Sequence, residues 1–459
     1  MNTLNKDILK LSIPSIVANI TVPLVGMVDT AIAGHLGGGA AVSIAAISIG
    51  SMLFTLLYWG FGFLRTGTGG LCAQSYGAKD WEGCASILWR ALSLSIAIAA
   101  VLILIQWPFL KLSMLCTQAS AEVESLAARY FFIRIWAAPA TLSLMGFSGW
   151  FVGMQDSVSS MWKDLIVNGV NVAASIILAR GIGSWEGMGF DGIAAGTVIA
   201  QYCGLAYCIV VSRVKYRKVL SGFSIKTIIA TLRSSELHSF LKLNGNLFLR
   251  SLFFISIYIG YTLIASSFGD VLLACSSVMM ELLLIFSYFT DGFAYAGEAL
   301  VGRFIGAKDK RNVKRAVKYV FVWSMSIAVA FIGIYAVTGE PLLRLMTSDE
   351  TVIDMCRNFL PWLMVMPPLG CAAFTWDGVY LGATASVQIR DAMFVAMVAF
   401  IGAWFASKAL FLQGVTESVL CLHFLLAAYF VHLVARTVML SFSWKKVYRS
   451  LPDSAQENC

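Results

Sequence analysis

The chain has 459 residues, of which 59% are hydrophobic and only 13% charged, with 33 Lys+Arg against 25 Asp+Glu. A soluble globular chain carries about 25% charged residues. At a mean hydropathy of +0.79, an ordinary cytosolic enzyme, a disordered chain and a secreted disulfide scaffold are excluded, and the natural solvent is a bilayer. The net charge of +8 reads as membrane topology and not as nucleic-acid binding, because the basic residues fall between apolar runs.

An apolar helix needs about 20 residues to cross the hydrocarbon core, and segmentation on that basis predicts an all-α integral membrane protein with about twelve spans. In the first half they fall near 8–36, 41–77, 84–114, 120–154, 161–181 and 192–216. In the second they fall near 238–267, 271–306, 312–338, 350–382, 389–414 and 418–442. The first run lacks a small-residue cleavage site before it and is read as a retained span. The resulting division is an N-lobe over 1–217, a linker over 218–237, a C-lobe over 238–450 and a polar tail over 451–459.

Lys6 and Lys10, the stretch Arg213 to His238, the stretch Gly306 to Lys318 and the tail Lys445–Arg449 hold the basic clusters. All fall on one side of a twelve-span chain, and the positive-inside rule puts that side, with both termini, in the cytoplasm.

The halves also repeat each other. Gly77-Ala78-Lys79-Asp80 recurs as Gly306-Ala307-Lys308-Asp309, a shift of 306 − 77 = 229. Gly149 and Gly153 recur at that shift as Gly378 and Gly382, and Pro139 as Pro368. Two six-span repeats entering from the same side are parallel, related by an axis along the membrane normal, as in some transporter folds.

An acid at the centre of a span costs about 2.5–3.5 kcal/mol on insertion scales, so it is a functional candidate by default. Asp29 lies in the first span, Asp291 and Glu298 lie seven apart on one face of the eighth, and Asp377 lies in the tenth. Burial penalises the charged form of a carboxyl group. An acid in a cavity that alternates between wet and dry therefore binds a proton on one side and sheds it on the other. The plainer reading is that each acid holds helices together by hydrogen bonds.

Pro14 and Pro23 interrupt the backbone bonding of the first helix. Asn168, Asn171, Thr197 and Gln201 are polar residues of the fifth and sixth spans, either cavity-lining groups or interhelical glue. Arg134, deep in the fourth span, needs an anionic partner, with Asp29 or a substrate carboxylate as candidates, or a watery cavity, or else it snorkels in a structural role. The cysteines lie mostly in apolar runs with no CxxC or zinc spacing, and are expected to be inert buried thiols. No P-loop and no HExxH occur, so no ATP-driven step, metal or cofactor is expected.

The stretches Leu11-Ser-Ile-Pro14, Val28-Asp29-Thr30-Ala31 and Gly34-His35-Leu36-Gly37 resemble the multidrug and toxic compound extrusion (MATE) transporters, in particular their DinF-like branch. So do Arg134-Ile-Trp-Ala-Ala-Pro139, Phe289-Thr-Asp291 through Glu298, and Asp377-Gly-Val-Tyr-Leu-Gly382. The resemblance spans both halves. It implies twelve helices in two pseudo-symmetric six-helix bundles that form a cavity and export amphipathic, often cationic compounds against a proton or sodium gradient. It further implies that Asp29 is the protonation site, that Pro14 accompanies bending of the first helix, and that Asn171 and Thr197 belong to the N-lobe site. Where many relatives carry an aspartate four residues beyond that asparagine, this chain has Ser175.

The expectation is a monomeric antiporter in a bacterial inner membrane, with protons as the coupling ion and an amphipathic cationic substrate. The cavity is expected to draw on Asn168, Asn171, Ser175, Thr197, Arg134, Asp291, Glu298 and Asp377. Two alternatives stand beside it: sodium-coupled export through the C-lobe acids, with Asp377 as the sodium ligand, or a flippase of lipid-linked precursors from the same superfamily. The single clear buried cation, Arg134, weighs against the flippase, which needs several.

Overall fold

A computed structural model describes residues 3–35, 40–115, 119–220, 235–412 and 419–451. Among them it is helical almost throughout. Leu36 and Gly37 of the Gly34–Gly37 stretch, residues 221–234 of the central linker and the tail beyond 451 lie outside the described residues. Helices α1 (Thr3–Gly34), α2 (Ala40–Trp59), α3 (Phe63–Gly77), α4 (Trp81–Leu104) and α5 (Gln106–Met114) are followed by α6 (Ala121–Arg134). A short 3₁₀ turn, Ile135–Ala137, leads into α7 (Ala138–Gly153), α8 (Ser157–Arg180), α9 (Phe190–Lys215) and α10 (Arg217–Leu220). Beyond it come α11 (Ser235–Ser266), α12 (Asp270–Gly306), α13 (Lys310–Met346) and α14 (Glu350–Arg357). The last helices are α15 (Leu360–Gly382), α16 (Ser386–Phe411) and α17 (Val419–Ser450).

Among the described residues, 11 helices are long and apolar enough to cross a membrane, or up to 12 if α14 and α15, bent by 59° at their junction, count as one span. Helices are the answer to a solvent that offers no hydrogen bonds, since each satisfies its own backbone. Side chains such as Val337 (81% exposed), Leu345 (79%) and Leu104 (78%) project outward at a cost that water would exact and lipid does not.

The chain divides into two compact units, one of Val17–Leu241 and one of Met1–Ile16 with Lys242–Cys459. The first turns of α1 thus group with the second unit: Arg303 donates to Asp7 at 3.3 Å, Trp323 to Asn5 at 3.3 Å, and Gly292 leaves room for Ser12 and Ile16. Helix α1 runs unbroken through Pro14 and Pro23. Each proline removes one intrahelical backbone bond within that continuous helix.

The repeat is visible helix by helix. At the shift of 229, the starts of α4, α8 and α9 (Trp81, Ser157, Phe190) fall on those of α13, α16 and α17 (Lys310, Ser386, Val419). Lys79 and Lys308 both take a left-handed backbone (φ 60° and 56°), as do Gln155 and Thr384 (62° and 52°). Asp80 then caps α4 by accepting from the Gly83 amide at 2.8 Å, and Asp309 caps α13 from Asn312 at 2.9 Å, as N-cap aspartates do. A Cβ on Gly149 would overlap the Arg65 carbonyl, and one on Gly378 the Ala294 carbonyl; one on Gly153 would meet that of Gly69, and one on Gly382 that of Glu298. Both GxxxG pairs therefore seat one helix backbone directly on another, α7 on α3 and α15 on α12. Glu298 is the repeat counterpart of Gly69 and sits at that crossing.

Candidate functional site

In the first unit, α1 presents Asp29 inward, 5% exposed, with its Oδ1 buried and lacking a hydrogen-bond partner. Arg134, from the end of α6, lies within electrostatic reach of it. The guanidinium is fixed from two sides: it donates to the Tyr130 hydroxyl at 2.6 Å and stacks 4.8 Å from the centre of the Phe54 ring. Cation–π contact of this kind holds an arginine in a desolvated setting. Gly50 makes the arrangement possible, because a side chain there would strike the fully buried Tyr130 ring. The fixed cation and the open carboxylate acceptor of Asp29 are thus brought together from α1, α2 and α6.

The polar residues of α8 bond to α1 and to α9. Asn168 donates to Thr21 at 2.6 Å and Asn171 to Thr197 at 2.9 Å, while Thr197 donates back to the Ile193 carbonyl at 3.2 Å. Asn171 Oδ1 is a second buried acceptor without a partner. Ser175 is fully buried, donates to the Ile193 carbonyl at 3.4 Å and is pressed against Gly196. Its position is one of close helix packing, and a serine's small size suits it.

In the second unit Asp377 is 6% exposed and saturated. Its Oδ1 accepts from Arg436 Nε at 3.1 Å, and its Oδ2 meets both Arg250 and Arg436. A sodium ion at Asp377 requires an arginine to leave first. Glu298 is fully buried on α12, while Asp291, two turns earlier on the same face, is half-buried. A groove of about 920 Å³ is lined by Tyr335, Glu340, Pro341, Arg344, Arg357 and Leu360 among others; it contains none of the residues singled out above.

Arg134 is not the one clear buried cation that the sequence suggests. Arg436 (2% exposed), Arg90 (6%) and Lys163 (7%) are buried too, with Arg250 in the triad. Arg90 pairs with Glu236 at 2.6 Å, and Lys163 with Asp164 at 2.6 Å and with Ser148 at 2.5 Å. The signal was present, since all four fall within predicted spans, but the partners of Arg250 and Arg436 lie 127 and 59 residues away. Spacing along one helix does not reveal such pairings.

Comparison with known proteins agrees with the fold. The MatE family matches residues 14–184 and 247–407, more than half of the chain. DNA damage-inducible protein F of Escherichia coli (strain K12) is 32% identical over 452 residues, covering 97% of this chain and 93% of that protein. A probable multidrug resistance protein NorM of Photorhabdus laumondii is 25% identical over 365 residues, 77% of each chain. A multidrug resistance MATE family transporter of the MOP superfamily, solved in an outward-facing conformation, superposes with a TM-score of 0.84 at 17% identity, covering 97% of this chain and 96% of that one. A MOP superfamily transporter from Pyrococcus furiosus, described as having a binding pocket of reverse polarity, superposes with a TM-score of 0.83 at 16% identity, covering 97% and 96%. The chain belongs to the MatE family of multidrug efflux transporters.

Proposed function

We propose that the chain is a proton-coupled antiporter that exports amphipathic, cationic compounds by alternating access, with Asp29 as its protonation site. The observation that carries this reading is the buried, unpartnered Oδ1 of Asp29 beside a guanidinium already engaged by Tyr130 and Phe54. A carboxylate oxygen in that setting lacks the hydrogen bond that offsets burial. Proton uptake removes the charge, and with it the attraction for a bound cation; proton release to the other side restores both. One proton thus exchanges for one cationic group at the same carboxyl. Asn171 Oδ1 and the Asn168–Thr21 pair supply polar contacts to the substrate's uncharged parts.

The basic clusters support a placement in a bacterial inner membrane with both termini in the cytoplasm. In proteoliposomes, an imposed pH gradient is expected to drive movement of a cationic dye through the wild type and not through Asp29→Asn. Movement driven by a sodium gradient alone, or a normal rate in Asp29→Asn, overturns the reading.

A second reading draws on the Arg250–Asp377–Arg436 cluster, where two guanidinium groups face one carboxylate and Arg250 Nε has no partner. That surplus of positive charge favours a substrate with an anionic group, such as a lipid-linked precursor. Transport of an anionic amphipath that Arg250→Gln abolishes, with dye movement unaffected, would support it.

A further inference from the structure

Two pairs of cysteines are buried side by side in this protein, one pair in each unit. Cys72 of α3 and Cys84 of α4 meet near the Gly77–Asp80 turn, where the Cys84 thiol donates to the Cys72 carbonyl at 3.9 Å. Cys275 of α12 and Cys356 of α14 meet at the end of α12 away from Gly306, the repeat counterpart of Gly77, with their sulfur atoms 2.9 Å apart. All four side chains are fully buried. We infer that Cys275 and Cys356 form a structural disulfide in the mature protein, while Cys72 and Cys84 remain thiols.

The distinction rests on the orientation proposed above and on helix geometry. Helix α12 ends at Gly306 among the basic residues, and Arg303 pairs with Asp7 there. Cys275 lies 28 residues before Arg303, which at 1.5 Å per residue is about 42 Å along the axis. The hydrocarbon core is about 30 Å thick, so Cys275 stands at or beyond the far surface. Cys356 belongs to α14, which opens the tenth span on that same side, directly after α13 has crossed from its basic start at Lys310. The outer face of a bacterial inner membrane is oxidising, and the cytoplasm is reducing.

Burial makes a finished thiol inert, which is why these cysteines read as inert in the sequence. It does not protect the pair during insertion, before α14 closes over α12. At that stage a thiol–disulfide exchange protein in its disulfide form can react. One thiolate attacks that disulfide to give a mixed disulfide, and the second thiolate displaces the exchange protein. Two electrons and two protons leave the cysteine pair, and the exchange protein departs as a dithiol. The bond links positions 81 apart in the chain and ties α14, the outer arm of the 59° bend into α15, to α12.

The test maps cysteines in the full-length protein, trapped with N-ethylmaleimide at lysis, unfolded without reductant and digested. The expected result is a peptide pair joined through Cys275 and Cys356 that separates only on reduction, with Cys72 and Cys84 alkylated. Reduction should also lower the unfolding midpoint by a few degrees in the wild type and leave Cys356→Ser unmoved. Recovery of Cys275 and Cys356 as alkylated peptides overturns the inference. Orientation is read separately from Ser184→Cys, in the exposed connection after α8, with a membrane-impermeant maleimide on spheroplasts. Labelling there together with a reduced pair defeats the disulfide alone. Labelling only in inverted vesicles defeats the orientation and the disulfide with it.

Discussion

Asp29 and Asp377 are both almost sealed from solvent, and the two lobes place them in opposite surroundings. Asp29 keeps an oxygen free beside a guanidinium that is committed to Tyr130 and Phe54. Asp377 is gripped by two arginines on both oxygens. The repeat shows that this is not one site copied twice. At the shift of 229, Asp29 falls on Tyr258, while Arg250, Asp377 and Arg436 fall on Thr21, Ser148 and Tyr207. The helical frame was kept through duplication, down to the left-handed turns and glycine crossings, whereas the charges were redistributed. A saturated ion cluster fixes a fold, and an unsaturated acid is free to exchange ligands.

The largest test of that contrast sets the two carboxyl groups against each other. Asp377→Asn leaves two buried guanidinium groups facing a neutral amide, and breaking a buried pair in this way costs about 3–5 kcal/mol. The expected result is a sharp fall in folded yield and in unfolding midpoint. Asp29→Asn, which removes a charge that has an oxygen unpaired already, is expected to fold normally and stop gradient-driven export. A stable Asp377→Asn protein that loses only its coupling breaks the contrast.

A smaller test probes the shared frame. Gly149→Ala and Gly378→Ala place a methyl group against the carbonyls of Arg65 and Ala294, and overpacking of this kind costs about 1–3 kcal/mol. Similar losses in both variants are expected, with Gly169→Ala, whose added methyl meets nothing within 4 Å, as the unaffected control. A loss in one lobe alone separates the two crossings.

This frame was the legible part of the chain. Apolar run length gave the spans, since bilayer thickness leaves little freedom, and the repeated Gly-Ala-Lys-Asp gave the register on which Asp80 and Asp309 cap their helices. Asp29 was legible as a candidate because a lone acid in an apolar run is costly wherever it points. What Asp377 does was not legible. Its partners sit on α11 and α17, and only packing brings three helices together. Nor did the sequence show that the Cys275 and Cys356 thiols touch, because α12 and α14 are separated by the whole of α13.

Between these extremes lies Arg134. Its planar fork bonds Tyr130 and stacks on Phe54, and a lysine keeps the charge while losing both contacts. Loss of one charge-assisted hydrogen bond is worth about 1.5 kcal/mol, so Arg134→Lys is expected to slow export about tenfold with little change in unfolding midpoint. Arg250→Lys in the Asp377 cluster should do the reverse, lowering the midpoint and sparing the proton-driven rate. Equal effects on both readouts in both variants would mean that the two cations do the same job.

The mildest contrast concerns the entry to α8 and its counterpart α16, where Asp156 and Ala385 occupy the same position in the repeat. Asp156 caps α8 through the Ser159 amide at 3.3 Å and accepts from Lys215 and Tyr216, each at 2.7 Å, whereas Ala385 offers no side-chain cap. Burial opposes ionisation of Asp156, but the hydrogen bonds from Lys215, Ser159 and Tyr216 outweigh it and hold the carboxyl below its usual range. A depressed folded value means that the stabilisation is complete above the unfolded pKa of about 3.9 and is lost as pH falls through the folded value. Asp156→Asn should therefore lower stability by about 1–2 kcal/mol at neutral pH, with the difference from wild type starting to close near pH 4. In a Lys445→Ala background, Ala385→Asp supplies the missing cap without a lysine, because Trp444 stands where Lys215 does in the first lobe and Lys445 where Tyr216 does. A gain of about 0.5–1 kcal/mol is expected from the cap alone, and a gain as large as the Asp156→Asn loss would show that Lys215 and Tyr216 contribute nothing to the first lobe's junction.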